Sequence, residues 1–270
     1  MKRMNDRNFQ ARSFFLPLLL LFVAMSTSCQ APKRMEKETL TIGEFVTTEK
    51  VFSELLLETE LDVTLVYTPQ NPFVQVTGPK KVLDYIRVKN VAGKMSIEDK
   101  KDIPERISRV SSIKIGIPQL KKIASNGTGD IKGTDIIKAP HMLLTALGTS
   151  DIRLSMAGED IEIENGGTSD CIFKLEYPKV KINNNGTGDI RIEGTGKELI
   201  IGNFGTGDLH LQKFRMESIE AQNTGTGDVS CWAIQKLSVE NSGTGDFFYY
   251  GSPKEKNISN SGTGNVKQRY

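Results

Sequence analysis

A four-residue motif, Gly-Thr-Gly-Asp, recurs along the second half of the chain at nearly constant spacing. Its first copy is Gly127–Asp130. Seven further copies end at Asp151, Asp170, Asp189, Asp208, Asp228, Asp246 and, with asparagine in the last place, Asn265. Successive copies lie 21, 19, 19, 19, 20, 18 and 19 residues apart, and two of them carry Ser150 and Ser169 in place of the second glycine. Eight copies at this regularity indicate a repeat architecture in which every unit makes the same turn.

Each unit alternates apolar and polar residues on both sides of its motif. Ile182 and Asn184 precede one copy, and Ile190 and Ile192 follow it. Alternation of period two is typical of half-buried β-strands. A unit of ~19 residues is too short for a strand with a crossover helix. The pattern therefore predicts an all-β fold, a parallel β-solenoid (β-helix), with equivalent strands stacked about 4.8 Å apart.

The repeated corner of each unit has a structural explanation. Glycine adopts positive φ at little cost, so we expect the motif glycines to provide positive φ at a sharp corner. From the third copy onwards an asparagine stands two residues before the motif, as Asn165 and Asn184 do. Stacked asparagines can hydrogen-bond from one coil to the next, so the repeat predicts an asparagine ladder along the corner.

Residues 40–118 lack the motif but alternate in the same way, with a short helical turn predicted at 80–87. The ends of a solenoid expose unpaired strands and need caps. We therefore expect residues 40–118 to supply early coils and a β-rich N-terminal cap, and residues 119–270 to form the repeat array. No such segment follows Asn265, so we expect self-association or a loop to cover the C-terminal end.

The N-terminus has the features of a targeting segment. Basic residues precede an apolar run at 14–25, which has the length of a signal-peptide core and is too short to span a bilayer. The small residues before Cys29 resemble a bacterial lipobox. These features predict a lipoprotein signal peptide at 1–28, lipid attachment at Cys29, a tether at 29–39 and one domain at 40–270. The expected location is the cell envelope, lipid-anchored at the outer membrane, on its periplasmic or surface face.

Charge and cysteine positions give no indication of a nucleic-acid partner or of a disulfide. The formal net charge is only +2, so no basic field indicates nucleic acid. Cys171 and Cys231 belong to coils three apart, about 14 Å if strands stack regularly, beyond the reach of a disulfide. We interpret both as small buried hydrophobes.

The chain also resembles a known family. The stretches Leu61–Leu65, VTGPKKVLDYI at 76–86, KMSI at 94–97, IKIGIPQL at 113–120 and the motif array are similar to the putative auto-transporter adhesins with a head GIN domain. The resemblance covers about residues 40–270. It implies a right-handed β-solenoid on an exported protein, often a lipoprotein. It implies neither an established ligand nor transferable catalytic residues.

The motif aspartates raise the question of a metal. If they line one edge, like charges repel and need compensation. A calcium ladder is one hypothesis, formed by Asp130, Asp151, Asp170, Asp189, Asp208, Asp228 and Asp246. The favoured alternative is structural: nearby cations such as Arg153 and His210 offset the charge, and each Asp accepts a backbone N–H at its turn. No cofactor is expected.

A β-helix polysaccharide lyase or glycoside hydrolase is the enzymatic alternative. Hydrolysis needs paired carboxylates, and elimination needs a base. Glu159 and Asp160 are neighbours on a strand and point to opposite sides, and His141 and His210 lie in different coils. The motif threonines form a row like those of some ice-binding solenoids. Those solenoids usually present two threonines per coil, whereas this motif has one. These patterns favour a protein that is not an enzyme.

One coil departs from the repeat, with Phe247-Phe248-Tyr249-Tyr250 after its motif. Alternation turns Phe247 and Tyr249 inward, and Phe248 and Tyr250 outward. Outward aromatics could bind a ligand, join two copies of the chain, or cover the sheet as padding. The sequence thus predicts an adhesin-like binding or scaffold module, with a membrane contact through its lipid, a carbohydrate or protein ligand, and a homo-oligomer through the C-terminal coil.

Overall fold

The computed structural model of the protein describes residues 38–41 and 51–270. The predicted signal peptide at 1–28, the lipid site Cys29 and most of the tether lie outside these residues. The described part forms twenty strands, a 3-10 helix at Lys80–Asp84 within the predicted helical turn, and one short helix, α1, at Glu105–Ser108.

In chain order the strands are β1 (Glu38–Thr41), β2 (Glu54–Glu58), β3 (Val63–Tyr67), β4 (Phe73–Gly78), β5 (Ile86–Val91), β6 (Lys94–Asp99), β7 (Ser112–Ile117), β8 (Lys122–Ser125), β9 (Ile131–Lys138), β10 (His141–Ala146), β11 (Ile152–Ala157), β12 (Asp160–Asn165), β13 (Cys171–Glu176), β14 (Lys179–Asn184), β15 (Ile190–Asn203), β16 (Leu209–Asn223), β17 (Val229–Asn241), β18 (Phe247–Tyr250), β19 (Glu255–Asn260) and β20 (Val266–Gln268). Most strands have three to eight residues, and β15, β16 and β17 are longer because each continues from one face to the other.

The strands stack in parallel on two faces, which confirms the predicted β-solenoid. The first face contains β6, β2, β8, β10, β12, β14, the second halves of β15, β16 and β17, and β19. The second face contains β7, β3, β9, β11, β13, the first halves of β15, β16 and β17, β18 and β20. In the array, each coil runs along the first face, turns at its Gly-Thr-Gly-Asp corner and returns along the second.

The order of the first coils differs from their order in the chain. The earliest coil, β2 with β3, lies inside the stack: β2 pairs with β6 on one side and β8 on the other, and β3 with β7 and β9. The coil of β6 and β7 comes later in sequence but lies nearer the end. Alternation specifies which side of a strand is buried, and it contains no information about which strand is the neighbour.

The N-terminal end is capped, as predicted, by antiparallel strands. β5 pairs with β6, β4 pairs with β7, and β1 pairs with β4. Glu38 and Thr39 belong to β1, so two residues of the predicted tether at 29–39 lie in the sheet instead. Their backbone pairs with Gly78 and Thr77, which explains why the strand begins before the predicted domain boundary at residue 40.

The core fills the space between the two faces with the inward residues of each strand. Its largest fully buried side chains include Phe173, Phe214 and Tyr177, whose hydroxyl donates to the carbonyl of Ala139 over 2.9 Å. Cys171 and Cys231 are free and buried, as the coil spacing predicted. Burial raises the pKa of Cys171 to about 12 and also raises that of Cys231, so both thiols stay protonated at neutral pH.

The motif glycines do not have the positive φ that their sequence predicted. Among the described residues, positive φ occurs only at Ala92, Gly93, Gly194 and Gly251. The corner glycines are instead required by the close approach of neighbouring coils. A Cβ on Gly207 would lie 2.1 Å from the carbonyl oxygen of Gly188, and one on Gly227 the same distance from that of Gly207. A side chain there would collide with backbone, so coils could not stack at the hydrogen-bonding distance.

The predicted asparagine ladder is present on the inside of the same corner. Each Nδ2 donates to Oδ1 of the next asparagine over 2.9–3.1 Å, through Asn165, Asn184, Asn203, Asn223, Asn241 and Asn260. Along most of the ladder, Nδ2 also reaches a glycine carbonyl of the next corner, as Asn203 does with Gly227 at 3.1 Å. The ladder satisfies corner carbonyls that water cannot reach.

Replacing one member tests the ladder. Asn203→Ala would remove the partners of the Asn223 Oδ1 and the Gly227 carbonyl, both buried, and should lower the free energy of unfolding by about 3 kcal/mol. Asn185→Ala is the matched control, because Asn185 is exposed at the same corner and should change it by less than about 0.5 kcal/mol. Urea denaturation followed by circular dichroism measures both. Equal stability of the two variants would contradict a structural ladder.

Candidate functional site

A second ladder runs along the solvent side of the motif corner, through the aspartates. The Oδ1 of one aspartate accepts the backbone N–H of the corresponding residue in the next coil. Seven such bonds of 2.7–3.2 Å form two runs, one from Asp62 to Asp151 and one from Asp170 to Asn265. Asp62 was missed in the sequence because it lacks the glycines, although it precedes the same apolar alternation. The N–H of Asn265, followed by its side-chain amide, lowers the pKa of Asp246. The stabilisation by that carboxylate is therefore complete at neutral pH and is lost only in acid.

The cations expected beside the aspartates are present in part. Arg153 Nη2 lies 2.8 Å from Asp151 Oδ2, and His210 Nε2 lies 3.7 Å from Asp189 Oδ2. Asp189, Asp208 and His210 place one ligand atom each within 4.8 Å of one another. Three ligands with one nitrogen fall short of the six to eight oxygens that calcium takes. The calcium ladder stays an untested hypothesis, and the geometry favours its structural alternative.

Phe248 and Tyr250 lie on the second face near the C-terminal end. Phe247 and Tyr249 are buried beneath them, as alternation predicted. Both outward rings are half-buried and already have neighbours on one side: Arg269 lies 4.5 Å above the centroid of Phe248, and Trp232 stacks on Tyr250 with centroids 6.1 Å apart. Whether the two rings bind a ligand or another copy remains a prediction, and these contacts fit a stacked cover for the sheet.

The first face contains an apolar surface that sequence reasoning missed. Ile200, Gly202 and Phe204 occupy successive outward positions at the end of β15 and just after it, and they line a hollow of about 200 Å³. Ile200 is 49% exposed and Phe204 45%. Apart from the terminal Tyr270, Phe204 is the only aromatic residue classed as exposed among those described. We call this surface the Phe204 hollow.

The absence of a side chain at Gly202 shapes the Phe204 hollow. A Cβ on Gly202 would lie 2.5 Å from Cε2 of Phe204 and 2.9 Å from its Cζ. The Cε2–Cζ edge of the ring therefore lies against the glycine. In the same outward column, neighbouring coils carry Asn183 and Gln222. The signal in the sequence was a departure from the repeat, since this coil reads Gly-Asn-Phe before its motif where most coils have small or polar residues.

The two histidines do not form a catalytic pair. His141 is on β10 of the first face, where its Nδ1 and Asp160 Oδ2 are 2.5 Å apart. His210 is on the second face beside Asp189. Each ring therefore has its own carboxylate partner, on opposite sides of the sheet sandwich.

The aspartate ladder generates a testable expectation. Asp208→Asn keeps an Oδ1 acceptor, so its melting temperature should stay within about 1 °C of the parent. Asp208→Ala loses the bond to the Asp228 N–H and should melt about 2–4 °C lower. Differential scanning fluorimetry with calcium and with EDTA is the measurement. Chelation should shift none of the three proteins, and a drop of many degrees in EDTA would instead establish a metal ladder.

Among the described residues, no helix has the length and apolarity needed to cross a membrane. Comparison with curated proteins finds no match.

Solved structures share the fold at low identity. A putative adhesin from Parabacteroides distasonis has a TM-score of 0.75 at 17% identity, covering 87% of this chain and 96% of its own. A putative lipid binding protein from the same species has a TM-score of 0.71 at 20% identity, covering 86% and 97%.

A third solved structure, a putative adhesin from Parabacteroides merdae, has a TM-score of 0.71 at 14% identity, covering 86% of this chain and 95% of its own. Identities this low support the β-solenoid fold alone. The family model is more specific, because it matches residues 51–253, from the first described coil to just before the last. The chain thus belongs to the family described as putative auto-transporter adhesin, head GIN domain.

Proposed function

We propose that the protein is an exported, lipid-anchored component of the cell envelope that acts as a non-enzymatic, adhesin-like binding module. The family and several of its solved structural relatives are named as adhesins, and this supports a binding role at or outside the envelope. The lipobox-like residues before Cys29 support the anchor. Two acyl chains or more hold a protein on a membrane without a spanning helix.

The observation that carries the binding role is the Phe204 hollow. Outward positions around it on the first face carry polar or charged residues, such as Lys181, Glu220 and Ser238. Ile200 and Phe204 interrupt this surface together and are both about half exposed. Neighbouring exposed apolar residues with a polar rim mark interaction sites on soluble surfaces.

The lyase or hydrolase alternative receives no support from the described side chains. The histidines are separated: His141 is hydrogen-bonded to Asp160, and His210 lies 3.7 Å from Asp189. The hollow is shallow, because the coils that form it contain no inserted loop. A binding surface requires neither a general base nor a closed cleft, so it fits this geometry best.

Two variants of the full chain test the proposal. Cys29→Ser should abolish incorporation of labelled palmitate and move the protein from the membrane to the soluble fraction, because no thiol remains for the lipid. Ile200→Ser/Phe204→Ala should lower retention on immobilised glycans and extracellular-matrix proteins at least tenfold, since burying a large apolar side chain supplies about 1.5–3 kcal/mol.

Leu147→Ala is the matched control for the surface. Leu147 occupies the same position in its coil as Phe204, is 55% exposed and lies three coils away. Loss of the Leu147 side chain should leave retention on the glycans and matrix proteins unchanged. Equal retention of the double variant and the parent would show that the Phe204 hollow is not the contact surface. Membrane association of Cys29→Ser would show that the protein is not anchored through a lipid on Cys29.

A further inference from the structure

We propose that the Phe204 hollow binds one neutral pyranose ring of a glycan, stacked on the face of Phe204. This inference rests on the proposed binding function and adds the chemical class of the ligand. Its four supports are the exposure of the aromatic ring, the polar groups around it, their charge, and the size of the hollow.

The Phe204 ring is open to solvent. Its Cε2–Cζ edge lies at Gly202, where a Cβ would be 2.5 Å from Cε2, and the side chain is 45% exposed. The rings of Phe248 and Tyr250 differ, because Arg269 and Trp232 already cover one side of each and both are half-buried. The axial C–H groups of a pyranose form a similarly flat, apolar face, and they stack on open aromatic rings whose faces carry negative charge density.

The groups that line the hollow both donate and accept hydrogen bonds. Gln222 and Ser238 can do either, whereas Glu220 and Glu240 accept only. Asn183 donates its Nδ2 to Glu162 over 3.2 Å. Its Oδ1 would lie 3.2 Å from a Cβ on Gly202, so an acceptor faces the floor. Sugar hydroxyls donate and accept, and such a mixed rim suits them better than an ammonium or guanidinium group, which only donates.

The charge of the rim selects against acidic sugars. The ten described residues that line the hollow include Glu220 and Glu240 and no cation. Lys181 lies next to Ile200 in the neighbouring coil. Its Nζ is 2.6 Å from Oε1 of Glu162, which belongs to the coil beyond, so this cation is paired away from the hollow. A uronate, sialate or sulfate would place its charge against two carboxylates without compensation. The ligand is therefore a neutral sugar.

The size of the hollow limits how much of a glycan it holds. Its volume is about 200 Å³, below the ~300–1,000 Å³ of pockets that enclose drug-sized ligands. It therefore accommodates a single ring, with the rest of the glycan lying across the polar first face. Binding by one exposed ring is weak, so useful affinity would come from many copies on a surface.

The test measures binding of the full chain, purified in detergent, to immobilised polymers of three charge classes. Mannan, dextran and xyloglucan are neutral, polygalacturonate and heparin are anionic, and chitosan is cationic. We expect retention on at least one neutral polymer and none on the anionic ones. On that polymer Phe204→Ala should raise the Kd about tenfold, and so should Gly202→Ala, whose new Cβ would displace the ring.

Two controls separate this inference from a fold defect and from a cationic ligand. Leu147→Ala should bind like the parent, and all variants should share its melting temperature. Glu220→Gln/Glu240→Gln keeps the acceptors but removes the charge, so neutral-polymer binding should change less than about threefold and anionic polymers should begin to be retained. A loss of tenfold or more in this variant, with chitosan the preferred polymer, would establish a cationic ligand and overturn the inference.

The outcomes also distinguish this inference from the proposed function. Retention on neutral polymers that does not depend on Phe204 overturns the inference. Binding of a matrix protein that depends on Phe204, with no retention on any neutral polymer, overturns the inference and leaves the binding function in place. If the parent is retained on no polymer and on no matrix protein, both are wrong.

Discussion

The close backbone contact between coils at the motif corner is the constraint on which the rest of the structure depends. A Cβ at several corner glycines would lie about 2 Å from the carbonyl of the previous coil, so these positions need glycine for the coils to reach β-sheet spacing, although Ser150 and Ser169 take the place of the second glycine in two coils. At that spacing the asparagines inside the corner and the aspartates outside it come within hydrogen-bonding distance of their counterparts. The two ladders are consequences of the stacking, and they then fix its register.

This constraint leaves the outward positions as the part of each coil that is free to vary. Inward positions are occupied by the core and the asparagine ladder, and the corner is fixed by contact with its neighbours. Sites that differ from coil to coil must therefore lie on the two faces. The Phe204 hollow on the first face and the Trp232–Tyr250 stack on the second are such places. In a regular solenoid, a departure from the repeat is the most informative sign of a binding surface.

Much of the fold could be predicted from the sequence, because period-two alternation and a ~19-residue repeat leave few alternatives. The asparagine ladder and the inward burial of Phe247 and Tyr249 followed from the same pattern. The role of the corner glycines could not be predicted, since it depends on backbone from another coil and not on the local φ. The hollow was missed for a related reason: the position of the Phe204 ring requires that Gly202, two residues earlier, has no side chain, and only the stacked faces show that the two residues lie beside each other.

The position of β2 and β3 inside the stack has a consequence for how the chain is made. These strands are synthesised before β6 to β9, yet each lies between strands that come later. The first coil cannot find both neighbours until about seventy further residues have followed it, so the solenoid cannot grow coil by coil from its N-terminus as a simple repeat could. During synthesis β2 and β3 therefore keep one edge unpaired until β8 and β9 have been made.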